Sequence, residues 1–440
     1  MIKRMKAPAV AMALLALSGC GIFKGGGKKT PTVGDRVPIL VTEDNVSPDA
    51  ALQGVEVLLP APAANAAWSQ PGGNAAKSMG HLALGGSLAR AWTAQIEGGS
   101  NRQRLAASPA VADGRVYAID VNAVVHAFSA DNGALLWKRQ IATGDQNASA
   151  RFGGGVSVDN GTLYATDGLG DVVALKATDG TEVWRARPGG PLRGAPSIGN
   201  GNVYVLSQDN QLYALSQATG KIAWTESASL ESQGVFGVAA PAVAQGSIVA
   251  GFSSGELNAY RYENGRTLWQ DALSRTTIST SVSSLADIDA DPVIDRGRVY
   301  AVGQGGRMVA IQLDTGQRLW EQDFAGIATP WVVGEWVFVV TDDARLIALS
   351  SGSGKIRWLH QLRHFKNEKK SKGLITWTGP VLAGNRLILG NSEGDVVFAS
   401  PQTGEEIGRM AVGDAITLSP VVASNTLYIL DHSGRISAFR

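Results

Sequence analysis

The sequence is nearly devoid of cysteine: Cys20 is the single one among 440 residues. That excludes an intrachain disulfide framework, a Cys-X-X-Cys redox pair, and any cysteine-built zinc or haem-attachment site. Charge is also scarce, with 18% Asp, Glu, Lys and Arg and a net charge of +1. Removing the three charges of Lys3, Arg4 and Lys6 leaves −2. A nucleic-acid binder would need a strongly basic face, which this balance does not supply. Long apolar runs are missing too. The longest near the amino terminus, residues 7–17, has eleven residues, whereas a spanning helix takes about twenty. Glycine, by contrast, is abundant at 54 residues, with 17 prolines. Low charge and many turn formers suit a large all-β protein.

The first twenty residues have the grammar of an export signal. Lys3, Arg4 and Lys6 form a basic start, the apolar run follows, and Leu17-Ser18-Gly19-Cys20 closes it. Small residues before a cysteine match the bacterial lipobox. The match implies cleavage before Cys20, acylation of its sulfur and of the new amino terminus by fatty acids such as palmitate, and stable anchoring, since two or more chains are needed for that. Gly21, where an aspartate would signal inner-membrane retention, points to the outer membrane facing the periplasm. The Gly-rich stretch 20–36 reads as a flexible tether. Residues 37–85 are expected to form a partly ordered segment packed on the rim of the main domain, which occupies 86–440.

From about residue 104 one pattern recurs. A short apolar strand leads through a Gly or Asn turn to a strand such as RVYAID, then to a strand ending near an alanine. An Asp/Thr-Gly turn and a tryptophan-bearing strand complete the unit. Ala127, Gly133 and Trp137 stand at relative positions 0, 6 and 10. The same spacing returns with Trp184, Trp224, Trp269, Trp320 and Trp358, and a seventh copy has Phe398, Gly404 and Gly408. The interval between tryptophans ranges from 38 to 51 residues. Four-stranded repeats of this length are propeller blades. Each Gly serves a hairpin that needs positive φ, and each Trp is expected to fill a seam between blades with its indole N–H on a carbonyl. The eighth copy has Ala438 at position 0, and the sequence stops at Arg440, so position 10, on the tryptophan strand, has no residue. LARAWTAQI, carrying Trp92 ahead of the first full blade, is expected to supply that strand. The fold expected is therefore an all-β, eight-bladed propeller of four-stranded antiparallel blades, the last closed by an amino-terminal strand. Closure would hide edges that otherwise pair promiscuously.

The Ala-x5-Gly-x3-Trp repeat resembles the quinoprotein-type propellers. Lipobox, tether, eight blades and the terminal GRISAF together resemble the non-enzymatic lipoprotein family of the outer-membrane β-barrel assembly machinery, BamB. The stretch 284–322 looks like that family's acidic loop and the blade after it. The resemblance implies a scaffold that binds a periplasmic domain of the barrel insertase BamA and that could also meet other lipoproteins of the machinery. It assigns partner contact to Asp287 and Asp289 and to a second loop, 233–237. There the family shows Leu, Leu and Arg, and this chain has Gln233, Val235 and Phe236. The arginine's charge contact is missing here, and an apolar one through Val235 and Phe236 could replace it.

Other motifs weigh less. Asp287, Asp289 and Asp291 alternate, but an EF-type calcium loop would need a glycine and a glutamate where Pro292 and Arg298 stand. Gly251-Phe-Ser-Ser-Gly255 has the nucleophile-elbow pattern, yet falls at a hairpin position of the repeat. His360 and His364 lack a third ligand for zinc. The basic run 363–372 reads as a solvated insertion able to touch anionic lipid or a partner. A quinone-dependent dehydrogenase would carry adjacent cysteines, which are absent. No catalytic residue, metal or cofactor is expected, and the alternative reading is a periplasmic recognition propeller with a different partner.

Overall fold

Alternating apolar strands separated by glycine turns must pair with their sequence neighbours, because connections of two to six residues within a blade leave no other choice. The computed structural model describes residues 46–143, 147–230, 237, 239–273 and 286–440, and there this pairing runs through the whole repeat. Eight four-stranded antiparallel sheets form the blades of a propeller. Blade 1 consists of Ala110–Ala112, Arg115–Ile119, Val124–Ser129 and Leu135–Gln140, from the central channel outward. In blade 8, Val421–Ala423, Thr426–Leu430 and Arg435–Phe439 are joined by Arg90–Gln95, with Trp92 opposite Ala438. The ring is thus closed by the amino-terminal strand. Inner strands are buried on both faces, as expected of sheets stacked between neighbours, whereas the outermost strands turn Leu135, Val183, Ile222 and Ile407 to solvent.

The 0/6/10 spacing has a geometric cause. Position 0 pairs directly across from position 10: Ala127 with Trp137, Ala174 with Trp184, Ala259 with Trp269 and Ala310 with Trp320. The small alanine lets the indole lean over the sheet into the next blade. Its Nε1 donates to a carbonyl there, Trp137 to Ala177 at 3.1 Å, Trp269 to Leu313 at 2.7 Å and Trp358 to Pro401 at 3.0 Å. Trp92 does the same from blade 8 to Ala130 of blade 1, at 2.9 Å. The indole lies on the position-6 glycine of that next blade. A Cβ on Gly180 would sit 2.7 Å from Trp137, and one on Gly133 2.6 Å from Trp92. These glycines are required twice over, for φ values near +72° and for the space. Blade 7 inverts the pair, with Phe398 opposite Gly408, so its bulk comes from the third strand.

The segment expected on the rim divides in two. Residues 49–60 do keep to the outside of blades 6 and 7, where Asp49 N–H donates to Ile356 O at 2.8 Å and the Gln402 amide brackets Val57. Residues 63–84 depart from the expectation and cross the mouth of the central channel. Asn65, Trp68, Ser69, Gln70, Ala75, Ala76, Gly80 and Leu82 each hydrogen-bond to the innermost strand of one blade, in the order 8, 1, 2, 3, 4, 5, 6, 7. The reason is that an innermost strand has an unpaired edge facing the channel, and buried backbone groups must find partners. Gln70 mimics a strand, its amide both donating to Ile198 O (3.1 Å) and accepting from Ile198 N (2.8 Å). Trp68 stacks on Trp331 at 6.1 Å, two indoles that belong to no repeat position.

Two outcomes are expected. Trp269→Ala should lower unfolding free energy by about 3–5 kcal/mol, while Leu319→Ala, an exposed apolar residue of an outer strand, should change it by less than about 1 kcal/mol; urea titration compares them. Gln70→Ala leaves both Ile198 groups unpaired and should cost about 1–3 kcal/mol, visible as faster hydrogen exchange at Ile198.

Candidate functional site

The channel mouth opposite the 63–84 segment carries the connections between blades and the turns between second and third strands. The acidic loop lies there, between blades 4 and 5, and its three aspartates have separate fates. Asp291 turns inward. It accepts from Ala240 N–H at 2.7 Å, and its own N–H donates to Thr329 Oγ1 at 3.2 Å. Burial pushes its pKa up, opposed by the Lys77 ammonium and the Ala240 N–H. Lys77 is itself fully buried, donating to Ser197 Oγ at 3.0 Å, and burial draws its pKa down to about 8 despite Asp291. These two groups link the channel segment to the loop.

Asp287 is buried at 2% exposure, and its carbonyl accepts from Gln304 N–H at 2.8 Å, which pins it beneath the 303–306 turn of blade 5. Ile288 between the acids packs into the core under blades 4 and 5, with its N–H on Phe252 O. Asp289 is only half-buried. Desolvation raises its pKa to about 7, with the negative charges of Asp287 and Asp342 adding to the effect. Asp342 sits at the neighbouring turn of blade 6 and is raised to about 6 for the same principal reason. Sequence reasoning missed Asp342. Its turn position was readable in the repeat, but its closeness to Asp289 arises only when two blades are set side by side.

Of the second loop, residues 233–236, including Gln233, Val235 and Phe236, lie outside the described residues. Gly237, the last residue of that loop, is described, and a Cβ there would stand 3.7 Å from Asp289 Oδ1. The end of the second loop therefore abuts the first. Cys20 and the amino-terminal 45 residues also fall outside the described residues. The Gly251–Gly255 motif forms a hairpin turn, with Gly255 N–H on Phe252 O and Phe252 N–H on Glu256 O. His364 packs at a tilt on Phe365, ring centroids 4.3 Å apart.

The half-buried Asp289 and the exposed Asp342 at the mouth of an eight-bladed propeller can receive a basic or hydrogen-bond-donating partner surface. The family model for outer membrane protein assembly factor BamB matches residues 23–150 and 121–360. The chain belongs to the BamB family. Curated BamB relatives include those of Yersinia pestis, 29% identical over 80% of this chain and 89% of the relative, and Escherichia coli K12, 30% identical over 79% and 87%. The crystal structure of BamB from Moraxella catarrhalis superposes with a TM-score of 0.67, at 18% identity, over 80% of this chain and all of that one. Quinohemoprotein alcohol dehydrogenase from Comamonas testosteroni gives a TM-score of 0.62 at 14% identity over 86% and 81%. That likeness is one of fold.

The raised pKa of Asp289 has a thermodynamic sign. Its folded value, near 7, exceeds the unfolded one, so the folded state binds the proton more tightly. Stability is then highest below the unfolded pKa, near 4, and falls as pH rises towards 7. Asp289→Asn should remove that slope. It should raise stability by about 1–2 kcal/mol at pH 8 and leave it unchanged at pH 4, as read by urea unfolding at both pH values.

Proposed function

We propose that this protein is a non-enzymatic scaffold of outer-membrane protein assembly, tethered by acylated Cys20 to the periplasmic face of the outer membrane. Its partner is a periplasmic domain of the BamA-type insertase. The family match across residues 23–360 supports the assembly role. The observation that carries the docking site is the convergence of Asp289, Asp342 and Gly237 at one channel mouth. A charge held half-buried against its desolvation cost is poor for stability and is typical of functional sites. The adjoining loop, with Val235 and Phe236, supplies the apolar part of the contact. Asp287 supports rather than touches, because its side chain is buried and positions Asp289 through the shared loop. The mechanism is positional: holding the insertase in one orientation raises the rate at which outer-membrane barrels fold into the membrane, with no bond made or broken on the scaffold.

Co-purification from solubilised membranes tests this. Wild type should bring down the insertase, and Asp289→Arg, at the half-exposed position of the loop, should reduce the yield at least tenfold with the propeller still folded by circular dichroism. Failure of wild type to retain the insertase would sink the scaffold reading. Full retention by Asp289→Arg would leave the function and move the site elsewhere.

A further inference from the structure

The basic insertion between blades 6 and 7 is a built element. Phe365–Asn367 pairs with Lys372–Leu374 as an antiparallel hairpin, bridged by a 3-10 turn at Glu368–Lys370. Its base is fastened to the propeller. Arg363 makes an ion pair with Glu393 at 2.7 Å, Trp377 Nε1 donates to Arg363 O at 2.9 Å, and Ile375 N–H donates to His364 O at 2.8 Å. Its tip is set by Asn367 Oδ1, which accepts from Lys370 N–H at 3.1 Å. The single acid of the hairpin, Glu368, is committed inward, accepting from the N–H groups of His364 (2.9 Å) and Phe365 (3.0 Å).

That leaves Lys366, Lys369, Lys370 and Lys372 exposed, and none of them enters an ion pair among the described residues. Four lysines against one glutamate make the ten residues 365–374 +3, in a chain whose total is +1. Leu374 adds an exposed apolar side chain at the base, 54% accessible. A rigid mount with several free ammonium groups and an adjacent aliphatic residue has the chemistry of a surface that meets anionic lipid headgroups. The cations are lysines, which act as point charges on flexible stems, and not arginine forks shaped for individual carboxylates. We propose that this hairpin docks on an anionic phospholipid surface and so fixes the angle at which the propeller stands on the membrane. The proposal rests on the anchoring put forward above. The 27 residues from Cys20 to Val46 reach up to about 90 Å when extended, so the anchor permits this contact without imposing it.

The test uses the full acylated chain with Ser371→Cys carrying an environment-sensitive fluorophore, reconstituted into vesicles of phosphatidylcholine alone or with added phosphatidylglycerol. The probe should shift to the blue, and be quenched by lipid-borne quencher, in the anionic vesicles only. High salt should reverse this. Lys369→Gln/Lys370→Gln/Lys372→Gln should weaken the response at least tenfold, since each lysine near such a surface contributes roughly fivefold. Identical spectra in both vesicle types, with the chain floating in both, would overturn the hairpin assignment and leave the anchor standing. Flotation with anionic vesicles alone would uphold the hairpin and refute the anchor, and flotation with neither would refute both. A shift seen only after outer-membrane proteins are added would move the hairpin to a protein partner and overturn the lipid assignment.

Discussion

Everything in this ring depends on an indole lying flat on a glycine of the next blade. A four-stranded blade is apolar on both faces and cannot stand alone, so its stability comes from the seams. Each tryptophan seam is made by three residues together. An alanine lets the ring lean, the tryptophan crosses, and a glycine receives it. The indole N–H finds a carbonyl on the neighbour, so burying this large ring leaves no polar atom without a partner. The seam from blade 7 to blade 8 lacks this device, since Gly408 stands where the tryptophan would be. That seam lies next to the blade completed by the amino-terminal strand.

Closure then proceeds at two radii. Outside, Arg90–Gln95 fills the last blade and places Trp92 on blade 1, so the first and last blades are joined by the same kind of seam as the others. Inside, residues 63–84 take backbone groups on the free edges of seven innermost strands and the Trp331 indole of the eighth. The two contacts work on different problems. The strand removes an open edge that would invite pairing with another chain, and the channel segment satisfies backbone groups that water could reach only through the channel. One channel mouth is thereby covered, and the opposite mouth is left to present loops. The buried Lys77 ammonium and the Asp291 carboxylate act on one another electrostatically, which couples the covering segment to the acidic loop.

That loop shows how a propeller holds a carboxylate at its mouth. Ile288 is sunk in the core and Asp291 is bonded inward, so Asp289 is held at the mouth with little freedom. Blade 6 brings the charge of Asp342 to bear on it, and desolvation raises both pKa values, with charge crowding adding to the rise at Asp289. Such crowding is relieved by a partner that donates hydrogen bonds or positive charge, which gives binding a driving force that the free protein lacks.

The blade count, the closing strand and the roles of Ala, Gly and Trp were legible from spacing alone, because each depends on contacts between residues at a repeated interval. The acidic pair was legible only through family resemblance, and that resemblance treated Asp287 and Asp289 alike. Tertiary structure separated them, because the turn of blade 5 covers Asp287 and leaves Asp289 at the edge of the mouth. The course of residues 63–84 was beyond reach of the sequence. That segment has no repeat and little periodicity, and its partners are backbone edges, which carry no side-chain signature. Asp342 and the mount of the basic hairpin were hidden likewise, since adjacency between different blades is decided by the ring and not by any local pattern.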